Sequence, residues 1–188
     1  MPEVETHEIL RAKRLELVDS SDEPRAVIGV QPDESVIVAL LDKQQRDRMT
    51  IAVGPDGSPT LLLKDESGTA RLACLAESGG NVQVQLNDSS GISRLTFSLI
   101  ADSDVALFLN NASGDPVVSL LIAQGVNSVS VNGDDGNPAA TIMVGGGVRS
   151  VSVNADDGTP AAIMLYDSPP ASIKIVGKHG RVLWDAGG

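Results

Sequence analysis

The chain has 188 residues and a net charge of −11, and is 41% hydrophobic but only 2% aromatic. That charge repels polyphosphate and anionic lipid, and four rings (Phe97, Phe108, Tyr166, Trp184) are too few for a base-stacking platform. Nucleic acid and membrane surfaces are therefore set aside as partners. A single cysteine, Cys74, excludes a disulfide-stapled fold.

Residues 1–14 read as a tail, or as a short helix over Val4–Lys13. MPEVETHEILRAKR lacks the apolar stretch of a secretory leader. No later apolar run approaches the ~18–20 residues of a membrane span. The expected location is the cytoplasm. A protein assembled there and released as part of a particle has the same features.

From Leu15 onward the chain repeats itself. LELVDSSDEPRAVIGV, ALLDKQQRDRMTIAV, LLLKDESGTARLACLA and VQLNDSSGISRLTFSL share one frame. Asp19, Asp42, Asp65 and Asp88 each follow the last by 23 residues, and Arg25, Arg48, Arg71 and Arg94 keep the same step. The frame continues at Asn111, then at Gly133, Ala155 and Gly177 with a step of 22. Eight units result, in one repeat domain over 15–188. The units are charged over 15–105 and rich in Ser, Asn and Gly over 106–188. A fixed period of this length marks a repeat architecture.

Each unit predicts two short strands. Before the turn position stand Leu17/Leu15, Leu40/Val38, Leu63/Leu61 and Leu86/Val84, and the later units repeat the pair down to Ile175/Ile173. A spacing of two puts both residues on one face of a strand. Gln85, Asn87, Ser130, Asn132, Ser152 and Asn154 alternate with them, so this strand has one dry face and one wetter face. After the arginine position, Ala26/Ile28/Val30 and Leu72/Cys74/Ala76 repeat the pattern, and Cys74 reads as a small core residue. The other face of the second strand mixes Arg71, Thr96 and Ser98 with Val27, Leu75, Leu121, Met143 and Leu165. That mixture suggests that another chain covers part of it.

The connections are turn chemistry. Asp65-Glu-Ser-Gly68 and Asp88-Ser-Ser-Gly91 fit a type I turn closed by a left-handed glycine. Asp is favoured because its carboxylate bonds the backbone two residues on. Pro24, Pro116, Pro138 and Pro160 fall where a strand starts. The expected fold is all-β, with up to sixteen strands in tandem hairpin repeats of 22–23 residues. The hairpins stack as a β-solenoid or β-prism-like array, open to interwinding with other chains. A propeller of four blades is disfavoured, because its signature aromatics are missing. In general form the pattern resembles the tandem β-hairpin repeats of bacterial and phage structural proteins, a resemblance that implies architecture alone.

An active site gathers unlike groups once, whereas this sequence repeats like groups. Neither His7 nor His179 sits near a cysteine or a second histidine in sequence, and Gly145-Gly-Gly147 is a turn without a following helix. No catalytic set and no cofactor motif is found. The metal candidates are Asp134, Asp135, Asp156 and Asp157, acidic turns that recur at 22 residues and offer the oxygen ligands Ca²⁺ takes. Their spacing matches neither the EF-hand loop nor the nine-residue calcium repeat. The interaction candidates are the column Arg25, Arg48, Arg71 and Arg94, expected to pair with the turn aspartates, and Trp184, expected to cap the array or anchor a partner.

The expected function is that of a non-enzymatic structural or assembly protein. It would be a rigid β-repeat spacer, spike or accessory subunit. Its expected partners are itself, with a homotrimer favoured, and protein subunits of a larger complex. The alternative is a binding module that offers a repeated outer face, with Ser130 and Ser152 among its residues, to carbohydrate or another regular surface.

Overall fold

The computed structural model describes residues 9, 11–101, 103–155, 160–166, 172–176 and 181–186. The first eight strands are β1 (Arg14–Val18), β2 (Pro24–Val30), β3 (Val36–Leu41), β4 (Asp47–Val53), β5 (Pro59–Lys64), β6 (Ala70–Ala76), β7 (Val82–Asn87) and β8 (Ser93–Ile100). The second eight are β9 (Asp104–Asn110), β10 (Pro116–Ala123), β11 (Val126–Asn132), β12 (Pro138–Gly145), β13 (Val148–Asn154), β14 (Pro160–Tyr166), β15 (Ser172–Val176) and β16 (Val182–Asp185). All pair antiparallel, each with its neighbours in sequence, in one open sheet running from β1 to β16. No helix occurs among the described residues, and none is long and apolar enough to cross a membrane. Most of Val4–Lys13 lies outside the described residues, and Arg11–Lys13 are not helical.

The turns make the meander. At one edge the Asp19 N–H donates to the Glu23 carbonyl at 2.9 Å, and the Asp22 N–H donates back to the Asp19 carbonyl at 3.0 Å. The same pair of bonds recurs at Asp42, Asp65, Asp88, Asn111 and Gly133. The fourth residue of each turn is left-handed, as the sequence predicts for Gly68 (φ 86°) and Gly91 (φ 81°). Asp22 and Gln45 occupy the same slot without being glycine.

The opposite edge explains the change of step. Val30 pairs with Val36 across a five-residue connection, whereas Ala123 pairs with Val126 and Gly145 with Val148. Those two-residue links, Gln124-Gly125 and Gly146-Gly147, have positive φ throughout, the signature of type I′ hairpins. Each removes one residue from its unit, and the step drops from 23 to 22.

Cross-strand register sorts the side chains into columns. One runs Leu17, Ala26, Leu40, Met49, Leu63, Leu72, Leu86 and Leu95, then on through Leu109, Val118, Val131, Ala140, Val153 and Ala162 to Ile175 and Trp184. Beside it a second column begins at Leu15, Ile28, Val38 and Ile51 and passes through Cys74 and Phe97 to Met164. Neither column contains a charged or polar residue. The aliphatic pairs thus share one face, as their spacing of two predicts.

That face is the open one. The expectation of a dry aliphatic face and a wetter opposite face is reversed within the single chain. The buried apolar residues, Val27, Ala39, Ala73 and Ala106, all lie on the second face, and no large side chain among the described residues is fully buried. Leu17, Ile28, Val131 and Val153 on the aliphatic face are all exposed. A single layer has nothing above either side, and what differs is side-chain size: on the second face small residues sit between larger neighbours, and Ala106 is 0% exposed. The accessible surface of 12585 Å² compares with about 8,500 Å² for a compact monomer of this mass.

Candidate functional site

The charged candidates form a ladder along one edge. Arg25 meets Asp19 at 3.5 Å, Arg48 meets Asp42 at 3.4 Å, Arg71 meets Asp65 at 3.4 Å and Arg94 meets Asp88 at 3.6 Å. Each guanidinium also donates through Nε to a main-chain carbonyl of the neighbouring unit: Leu41, Lys64, Asn87 and Asn110 in turn. The arginines therefore clamp each turn to the end of the next unit's first strand. Their side chains are a third to nearly half exposed, so each ion pair contributes only about 0–1 kcal/mol. The closest partner of Asp42 is a residue the repeat frame does not single out, Arg46 at 2.8 Å.

A second set of rungs overlaps the first at Arg71 and Arg94 and continues where arginine disappears. The amide of Asn87 donates to the Ala70 carbonyl at 2.9 Å and Asn110 to Ser93 at 2.9 Å. Asn132 donates to Pro116 at 2.8 Å, and Asn154 reaches Pro138. These four asparagines immediately precede the turn position of their units, at the same step of 23 and then 22. That spacing is visible in the sequence; alternation alone assigns them merely to the wetter face. Asn132→Ala is expected to lose about 1 kcal/mol in a urea melt. Lys43→Ala, at an exposed turn position away from the aliphatic face, is expected to stay within about 0.5 kcal/mol.

The turn aspartates are acceptors for their own backbones. The Asp65 carboxylate takes the N–H groups of Ser67 at 2.9 Å and Thr69 at 3.1 Å, and Asp19, Asp42 and Asp88 are bonded alike. The Ser67 hydroxyl and these N–H groups hold the Asp65 carboxyl below the usual range, and the Ser21 N–H does the same for Asp19. Partial desolvation opposes ionisation of Asp42, but the bonds from Arg46 and the Gln44 N–H outweigh it and bring that pKa down to about 2. A depressed pKa stabilises the fold above the unfolded value of about 3.9, and that stability is lost as pH falls through the folded value. The melting temperature is therefore expected to decline steeply between about pH 4 and pH 2. Asp42→Asn should weaken this dependence, because Asn111 shows that a neutral amide caps the same turn, accepting from Ser113 at 2.9 Å and Asp115 at 3.0 Å. Calorimetry across that pH range checks both.

Of the calcium candidates, Asp134 and Asp135 lie among the described residues. Both oxygens of Asp135 serve Asn137, its N–H at 2.9 Å and its amide at 2.8 Å, and Asp134 is exposed. Asp156, Asp157, His7 and His179 lie outside the described residues. Among the described residues no three His, Cys, Asp or Glu side chains converge in a way that could hold a metal. Ser130 is 9% exposed, and its hydroxyl lies 3.3 Å from that of Thr141. Trp184, half-exposed, is the last member of the first aliphatic column.

What remains is the aliphatic face, with its row of exposed large side chains. No protein-family model matches the chain, and no curated protein resembles it significantly in sequence. The reading therefore rests on the surface itself. Exposed apolar patches on a monomer run to about 300–600 Å². Two columns crossing the whole sheet, with at least one large exposed side chain on most strands, lie well above that. Trp184 ends the strip at one edge of the sheet and Leu15 and Leu17 begin it at the other.

Proposed function

We propose that this chain is a non-enzymatic structural subunit, a rigid β-repeat spacer or spike whose aliphatic face is a subunit interface. The observation that carries the reading is that face: two uncharged columns with a large exposed side chain on most strands, Arg149 and Asn127 standing only in the row beside them. A sheet of sixteen strands in one layer also exceeds the ~10 beyond which open sheets usually curl or pack against another. Covering the strip by association turns a stack of hairpins into a prism-like or solenoid-like body, with a homotrimer as the favoured copy number. The turn ladders then face solvent at the edges, where further subunits of a larger complex have a regular surface to meet.

The carbohydrate reading is weaker. It relies on Ser130 and Ser152, and the Ser130 hydroxyl is largely enclosed and engaged with Thr141.

Small-angle X-ray scattering of the purified protein tests the spacer reading. Fifteen strand spacings of about 4.8 Å give a column of roughly 70 Å. An elongated particle at least that long, with a constant cross-section, is expected. A compact, near-spherical particle would overturn the reading.

A further inference from the structure

We infer that the aliphatic face is covered by further copies of this same chain, lying parallel and in register around one axis that runs along the columns. The inference rests on the structural reading above and adds the direction and register of the copies.

Lipid does not fit the strip. On each strand it spans at most five residues, about 14 Å, against the ~25 Å apolar band of a membrane barrel. The longest strands have eight residues, against nine to eleven for a spanning strand. A protein partner must offer apolar contact at the spacing of this sheet over sixteen strands. Another copy does so by construction. The area leaves room for association: the chain, over both faces and its connections together, exposes about 4,000 Å² more than a compact monomer, against the ~800 Å² per partner that a standard interface buries.

Direction follows from the unevenness of the chain. The first column is mostly leucine and methionine up to Leu109, then valine and alanine from Val118 to Ala162. The free-edge connections shorten at the same place, from five residues after Val30 to two after Ala123 and Gly145. Turn type alters local twist, and two long sheets keep face contact only where their twists agree. Parallel, in-register copies agree at every level. Antiparallel copies set the five-residue connections after β4 and β6 against the two-residue ones after β12 and β10. A rotation axis along the columns also closes the assembly, so no copy is left with an open face.

Spin labels on one edge read the direction. Ser21, Ser67 and Ser113 are exposed residues at the same position of three equivalent turns, after β1, β5 and β9. Each is replaced singly by cysteine in a Cys74→Ala background, since alanine already stands in the neighbouring column at Ala26 and Ala140. Interchain distances are then measured by pulsed electron resonance on the intact assembly, with its mass checked by light scattering. Parallel copies are expected to give one distance, equal within several ångströms, at all three positions. Antiparallel copies would place the Ser21 labels about 65 Å apart along the axis and the Ser113 labels about 10 Å apart. Such unequal distances in an oligomer would overturn the direction and leave the structural reading standing. A folded, monomeric protein would overturn both.

Discussion

Leu86→Asp is expected to break the protein into single chains and abolish its cooperative urea transition, while Gln85→Asp one residue away is tolerated. Leu86 stands in the first aliphatic column, between Leu72 and Leu95, and is 43% exposed in the single chain. If the chain worked alone, an aspartate there would already face water and cost little. Covered by another copy, it becomes an uncompensated charge inside an apolar strip, a change of about 3–5 kcal/mol. Rotational symmetry brings the new carboxylates to one level, so they also repel each other. Gln85 is on the opposite face, where its amide bonds Gln83 at 3.1 Å, and its replacement is expected to cost about 0.5 kcal/mol or less. Urea melts followed by light scattering separate the two. Equal damage from both would contradict the assignment of faces.

Gly145→Ala is expected to cost about 2–3 kcal/mol through backbone displacement alone. Gly145 closes the β12–β13 hairpin and pairs with Val126 across β11. A Cβ built there would lie 2.3 Å from the Gly125 carbonyl oxygen and 2.5 Å from the Val126 Cα, and neither is a flexible side chain. The end of the β11–β12 ladder must open to admit it. Gly136 is the matched control. Its φ of 80° makes alanine strained, but nothing lies within 4 Å, so only about 1 kcal/mol is expected. Thermal melts of the two variants give the comparison directly. A Gly145→Ala protein as stable as Gly136→Ala would mean that the tight hairpins of the second half are not held as described.

Much of this architecture is legible in the residues. The spacing of two in Leu61/Leu63 and Val84/Leu86 gives the strands and their shared face, and Asp65 with Gly68 gives the turn down to its left-handed residue. The pairing of Arg25, Arg48, Arg71 and Arg94 with the turn aspartates follows from the common step. What alternation does not convey is which face is enclosed. Hydrophobicity says which side chains avoid water, not whether their own chain has anything to cover them. For Leu17 or Val153 the chain itself supplies no cover, so a single-chain reading of a dry face inverts. The asparagine rungs were hidden for another reason. Asn87 and Asn132 look like ordinary polar residues until the register places their amides beside the Ala70 and Pro116 carbonyls. Arg46 was hidden by falling outside the repeated column, although it lies closer to Asp42 than Arg48 does, at 2.8 Å against 3.4 Å.

The claim on which the rest depends is that the aliphatic face is an interface. Absolute mass by light scattering on a sizing column, for the unmodified protein under native conditions, tests it most directly. A mass near three times 19.5 kDa, unchanged on dilution, is the expected result. A folded protein of 19.5 kDa, monodisperse at every concentration, would contradict the account.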